Sequence, residues 1–92
     1  MVDVIAERRL LLTSLSSNDT KNILIQILNP TLDADKIDYI CELRLVDFTV
    51  WDRSAFELHG VDSMQALELA LDFKDKILEK LREVYSIDLS ED

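Results

Sequence analysis

Gly60-Val61-Asp62-Ser63-Met64-Gln65-Ala66-Leu67 opens the strongest helix signal in the chain, and everything before it reads as sheet that needs a helix to cover it. Asp62 has the side chain of an N-cap, able to accept a hydrogen bond from a free backbone N–H of the first turn. Gln65, three residues on, is placed to reach back to the cap, a D-x-x-Q variant of the capping box, and Ser63 falls inside that entry. Val61 and Ala66 have the spacing of a weak hydrophobic staple. Gly60 supplies a flexible corner between the preceding strand and the cap. From the cap to Tyr85 there is no Gly or Pro, and good helix formers dominate, so the pattern predicts a helix over 62–85.

On a helical projection Met64, Ala66, Leu67, Ala70, Leu71, Phe73, Ile77, Leu78, Leu81, Val84 and Tyr85 share one half of the circumference. A stripe that wide suits a helix lying across a sheet better than a two-stranded coiled-coil seam. Lys74 falls inside the stripe, where its stem packs and its ammonium snorkels outward. Opposite lie Glu68, Asp72, Asp75, Glu79 and Glu83, with Leu69 the apolar exception. Like charges at i,i+4 within this ridge cost about 0.3 kcal/mol each, partly offset by Asp72 with Lys76 and Glu79 with Arg82. The ordinary reading is a solvated face. The sharper one is a docking surface for a basic protein, including mimicry of nucleic-acid phosphates by an inhibitor or immunity protein of phage or mobile-element type.

Working upstream, Val2–Thr13 places Val4, Ala6, Leu10 and Leu12 on one parity and reads as a first strand, with its leucines keeping helix open. Ser14–Thr20 is a turn, rich in side chains that compete for backbone hydrogen bonds. Lys21–Leu28, with Ile23, Ile25 and Ile27 in phase, gives a second strand that Asn29-Pro30 stops. Ile37, Tyr39, Cys41, Leu43 and Leu45 alternate against Asp38, Ile40, Glu42 and Arg44 in a third. Asp47–Asp52 is a hairpin turn carrying Trp51, and Ser54–His59 is a fourth strand. Short connections between four strands and a final helix favour an α+β domain, a four-stranded antiparallel meander with a C-terminal amphipathic helix on one face. Residues 86–92 read as a frayed acidic tail.

The combination of "IAERRL" at 5–10, "NP" at 29–30, "DYIC" at 38–41 and "HGVDSMQALELAL" at 59–71 resembles a small bacterial family of uncharacterised domains. Its signature is a Gly-Val/Ile-Asp-Ser-x-Gln-Ala-Leu helix entry. The resemblance implies the same strands-then-helix fold and no activity; the long acidic end of the helix is a departure from the family pattern.

Composition narrows the function classes. The net charge of −9 is uneven: residues 1–46 carry seven acids and five bases, and residues 47–92 carry twelve acids and five bases, giving −2 and −7. Nucleic-acid binding needs clustered Lys and Arg, so direct contact with nucleic acid is disfavoured and a basic protein partner favoured. The single cysteine, Cys41, cannot form an internal disulfide and fits a reducing cytoplasm. Its parity with Tyr39 and Leu43 makes it a small buried hydrophobe rather than a nucleophile. No signal peptide or membrane span is recognisable.

His59, Asp62 and Ser63 contain the letters of a hydrolase triad, but they are nearly consecutive and lack a G-x-S-x-G elbow, and capping accounts for the last two. Asp33, Asp35 and Asp38 lack the Gly and closing Glu of a calcium loop, so loop solvation accounts for them. Without a Gly-rich phosphate loop or metal-ligand spacing, no cofactor is implied. Trp51, a large aromatic in a turn, either caps the core or anchors a partner. Apolar Leu24, Leu28, Ile40 and Val46 lie on the sheet parity that the helix does not cover, which favours a homodimer or a partner there. The expectation is a non-enzymatic protein-interaction domain, with candidate contacts Trp51, Glu68, Asp72, Asp75, Glu79 and Glu83. The rival is a small-molecule binder or minor enzyme with a pocket between sheet and helix near Tyr39, Trp51 and His59.

Overall fold

The computed structural model describes residues 3–35 and 37–90. In chain order the elements are β1 (Val4–Ser14), β2 (Thr20–Leu28), β3 (Thr31–Asp33), β4 (Asp38–Val46), β5 (Ala55–Gly60), α1 (Ser63–Arg82) and β6 (Tyr85–Leu89). All strand pairs are antiparallel. Across the sheet the strands run β6-β1-β2-β4-β5, and β3 pairs with the first part of β4, where it continues the line of β2. Asn29-Pro30 separates β2 from β3 because proline has no N–H to donate to the ladder.

One face of the sheet is apolar by alternation and receives the helix. Leu10 and Leu12 of β1, Ile23, Ile25 and Ile27 of β2, Cys41, Leu43 and Leu45 of β4 and Phe56 of β5 form one core with Ala66, Ala70, Ile77, Leu78 and Leu81 of α1. The helix stripe is narrower than its sequence suggests. Met64, Leu71 and Val84 are exposed, because the contact narrows to the residues directly above the sheet. Lys74 behaves as its position predicts: its side chain is largely covered and its Nζ reaches Asp75 Oδ1 at 3.3 Å.

Among the described residues the architecture is α+β with an antiparallel sheet and one helix, but the sheet has six strands instead of four. The short β3 was hidden in the connection after Pro30. The segment expected to fray after the helix is β6, which pairs through residues 85–89 with Leu10–Ser14 of β1. The helix ends at Arg82 rather than 85, and Val84 N–H donates to the Leu81 carbonyl as the chain turns. The chain then re-enters the sheet, where Tyr85 and Ile87 share the inward parity and pack on the core. Residues 91–92 of the expected tail, and Val2 of the expected first strand, lie outside the described residues.

The helix entry departs from expectation in two respects. Asp62 Oδ1 does accept from Gln65 N–H at 2.7 Å, but Gln65 Oε1 accepts from Val61 N–H, one residue before the cap, also at 2.7 Å. Val61 stays exposed while Ala66 is fully buried, so no staple forms between them. Gly60 ends β5 without a positive φ, so backbone freedom is not what the position uses. A Cβ there would lie 2.5 Å from the backbone nitrogen of Ala66, so glycine is needed for the close approach of strand and helix.

Cys41 is fully buried and its thiol donates to the Leu28 carbonyl at 3.2 Å. Burial raises its pKa, which disfavours the thiolate. A thiol–disulfide exchange reagent at pH 8 is expected to label Cys41 only as fast as the domain unfolds, with labelling accelerating in step with urea. Rapid stoichiometric labelling of native protein would show the opposite.

Candidate interaction surface

The outward side of α1 carries the acidic ridge. Glu68, Asp72, Asp75, Glu79 and Glu83 are all exposed. The cations do not fall where helical spacing suggested: the ion pairs are Lys74–Asp75 and Lys80–Glu83, each at 3.3 Å, in place of Asp72–Lys76 and Glu79–Arg82. Exposed pairs of this kind contribute little to stability, so the ridge is not a stabilising network.

Trp51 sits beside the helix on a tight turn. Val50 and Arg53 exchange backbone hydrogen bonds of 2.9 and 3.0 Å around two residues with positive φ, Trp51 at 53° and Asp52 at 62°. Positive φ at both central positions is the type I′ pattern, which Asn-Gly satisfies without strain and a bulky side chain does not. The indole packs on two rings, Phe56 at the start of the adjoining β5 with centroids 6.3 Å apart and Phe73 of α1 at 5.9 Å. Phe56 and Phe73 are themselves 5.0 Å apart. Even so, Trp51 remains 51% exposed. Its indole therefore caps the core on one side and stays open to solvent on the other.

Next to it a groove of about 220 Å³ is lined by Trp51, Lys80, Leu81, Glu83, Val84 and Tyr85, among others. Of the candidate contacts, the structure joins Trp51 to Glu83 through this groove and places Glu68, Asp72, Asp75 and Glu79 along the outward face of α1. Phe73, Lys80 and Val84 belong to this region but carried no separate signal in the sequence.

The turn makes a stability prediction. Trp51→Asn removes aromatic contacts worth roughly 0.5–1.5 kcal/mol each and relieves roughly 1–2 kcal/mol of left-handed backbone strain. The variant is expected to melt within about 1 kcal/mol of wild type in a thermal unfolding experiment. A loss above about 3 kcal/mol would make Trp51 chiefly a core residue.

The other sequence candidates separate in space. His59 Nδ1 pairs with Asp38 Oδ2 at 3.1 Å, while Asp62 is occupied as the helix cap, so the triad letters do not converge. Asp33 accepts from Asp35 N–H within its turn, and Asp38 faces His59. Tyr39 packs against the core, whereas His59, opposite Ile40, points to the other side of the sheet. A single pocket joining Tyr39, Trp51 and His59 is therefore not formed. Among the described residues no helix is long and apolar enough to cross a membrane.

No curated protein and no solved structure matches the chain. Residues 6–90 match the family model described as a domain of unknown function, DUF6968, and the chain accordingly belongs to that family.

Proposed function

We propose that the domain is a non-enzymatic protein-interaction module of a bacterial cytoplasm. It binds a basic protein with Trp51 as the aromatic anchor and the α1 ridge as the electrostatic guide. The helix entry built from Gly60, Asp62, Ser63 and Gln65 is, in this reading, a structural signature of the family and takes no part in binding.

The observation that carries the reading is Trp51: half exposed on a strained turn where a smaller residue would sit more easily. Strain of that kind is retained where a side chain is needed at a particular place. Tryptophan is also the residue type most often dominant in interface energetics. The ridge contributes attraction and on-rate, which is what exposed complementary charge does best.

Charge density favours a basic protein over close mimicry of DNA. Five carboxylates over residues 68–83, the last of them the helix C-cap, give one charge per roughly 5 Å along the axis, against one per about 1.7 Å for duplex DNA. Lys74 and Lys80 dilute the ridge further.

The test is affinity capture from host lysate with three baits: wild type, Trp51→Asn, and a variant reversing Glu68, Asp72, Asp75 and Glu79 to Lys. Circular dichroism first confirms that each is folded. The expected result is a basic partner retained by wild type at low salt, lost with the reversed ridge, and bound roughly tenfold or more weakly by Trp51→Asn. Identical captures by all three would return the ridge to a solvated face.

A further inference from the structure

Among the described residues the sheet has two open edges, β5 and β6, and they differ in the chemistry they present. On β5 the free backbone groups follow from the register. Leu45 N–H donates to the Ser54 carbonyl at 2.7 Å, and Leu43 and Cys41 of β4 lie opposite Phe56 and Leu58. Hydrogen-bonding direction alternates along a strand, so Phe56, Leu58 and Gly60 turn their backbone groups to β4, while Ala55, Glu57 and His59 turn theirs to the open side. Among the described residues no element pairs with that side. Sheet edges are commonly blunted by Pro, Lys or a bulge. β5 has none of these, and its register on β4 is unbroken from Ala55 to Gly60.

We infer that the open edge of β5 is a strand-addition site: an extended segment of a basic partner pairs antiparallel with residues 55–59, with Lys or Arg opposite Glu57 and apolar side chains toward Phe56 and Trp51. The inference rests on the basic-protein reading proposed above and adds how the partner is held. Three observations select this occupant.

The first is the backbone. A row of N–H and C=O groups at the repeat of a strand is matched in full only by another extended main chain.

The second is charge. Glu57 lies directly opposite Glu42 of β4, on the face away from the helix. The pair falls at a non-hydrogen-bonded position, where cross-strand side chains are closest and like charges destabilise. Arg44 neutralises Glu42, with Nη2 2.8 Å from Oε2, whereas among the described residues Glu57 forms no ion pair. Arg53 lines the same depression but reaches neither carboxylate, and His59 is turned to Asp38. A cation on an added strand opposite Glu57 relieves the repulsion. The β6 edge has no such need, since Asp88 lies opposite Leu11 and Ser86 opposite Thr13.

The third is continuity with Trp51. Phe56 is the first inward residue of β5, and the half-exposed indole packs edge-on against it. Residues of an added strand opposite Phe56 and Leu58 direct their side chains to the helix side, toward this aromatic cluster. The anchor and the edge therefore form one surface.

A second copy is disfavoured. Two chains joined edge to edge and antiparallel keep both helices on the same side of one continuous sheet, because the two-fold axis is perpendicular to it. Their acidic ridges then lie side by side, with −9 on each chain, and like charge opposes the pairing.

The test uses the full chain and a seven-residue peptide alternating lysine with valine, blocked at both ends, together with two N-methylated versions. In the bound arrangement the lysine N–H groups face β5 and the valine N–H groups face solvent. Methylating the lysine amides should weaken binding at least tenfold, and methylating the valine amides should leave it intact, with equal charge in both. Amide exchange of the unmutated chain reads the edge directly: Ala55, Glu57 and His59 exchange freely alone and become protected with about 1 mM peptide, whereas Phe56 and Leu58 are protected throughout. Glu57→Lys places opposite charges across β4 and β5, so it should keep the fold while weakening binding at least tenfold. Equal binding of the two methylated peptides, protection confined to Tyr85, Ile87 and Leu89, or no binding at that concentration overturns the proposal. Protection of the three edge amides that rises with protein concentration alone also overturns it and assigns the edge to a second copy. Trp51→Asn separates this inference from the anchor reading. Unchanged edge protection in that variant leaves strand addition standing and removes the anchor, whereas weaker binding by Trp51→Asn beside equal binding of both methylated peptides keeps the anchor and overturns strand addition.

Discussion

Gly60→Ala is expected to lower stability by about 3 kcal/mol, and the reason is a contact between backbones. Its Cβ would lie 2.5 Å from the nitrogen of Ala66 and 2.9 Å from both Ala66 Cα and Gln65 C. None of these atoms belongs to a side chain that can swing aside. The first turn is further held by the Asp62 and Gln65 hydrogen bonds, so accommodating a methyl means moving the helix entry off β5. Removing a glycine from the unfolded chain returns only about 0.4–1 kcal/mol. In a domain of this size the net loss corresponds to a fall in Tm of roughly 10–20 °C. Thermal melts of Gly60→Ala and of Gly60→Ala with Ala66→Gly separate two explanations. Because the clash is with main chain, shortening Ala66 should not rescue. Recovery in the double variant, or a single-variant loss under about 0.5 kcal/mol, would show that the strand and helix are free to separate.

That position illustrates what was legible in the sequence and what was not. β2, β4 and β5 were readable because each alternates in phase, Ile23-Ile25-Ile27, Cys41-Leu43-Leu45 and Phe56-Leu58, and sits against one apolar helix stripe. The helix start was readable because Asp62 and Gln65 act locally. Gly60 was placed correctly but given the wrong reason, since steric contact with Ala66 exists only once strand and helix have met. The Trp51-Asp52 turn was found as a turn, yet its type was hidden because neither residue is the Asn or Gly that a type I′ turn prefers. The Trp51–Phe56–Phe73 contact joins three segments with no local signal. The His59–Asp38 pair is likewise a product of β4–β5 register. The uncovered apolar positions Leu24, Leu28, Ile40 and Val46 were visible as parity, but the near-complete burial of Leu28 was not.

The sharpest division between sequence and structure is β6, and Ile87→Asp decides it. A frayed tail would tolerate the change within about 0.5 kcal/mol, as most exposed positions do. In the sheet, Ile87 is half-buried against the core opposite Leu12, whose side chain is fully buried. Replacing it removes part of the 1.5–3 kcal/mol that a buried isoleucine contributes and puts a carboxylate where solvent is limited, for an expected loss of about 3 kcal/mol. Asp88→Asn, one residue on and facing the other way, is expected to change little, because only the inward parity touches the core. Deleting residues 85–92 should cost at least as much as Ile87→Asp. It removes Tyr85 from its edge-on contact with Phe48, with centroids 6.1 Å apart, and exposes the Leu10–Ser14 edge of β1. Urea unfolding of the three variants gives the answer directly. A large loss for Ile87→Asp beside a neutral Asp88→Asn requires a registered strand, whereas equal and small effects would mean that β1 is itself the edge of the sheet.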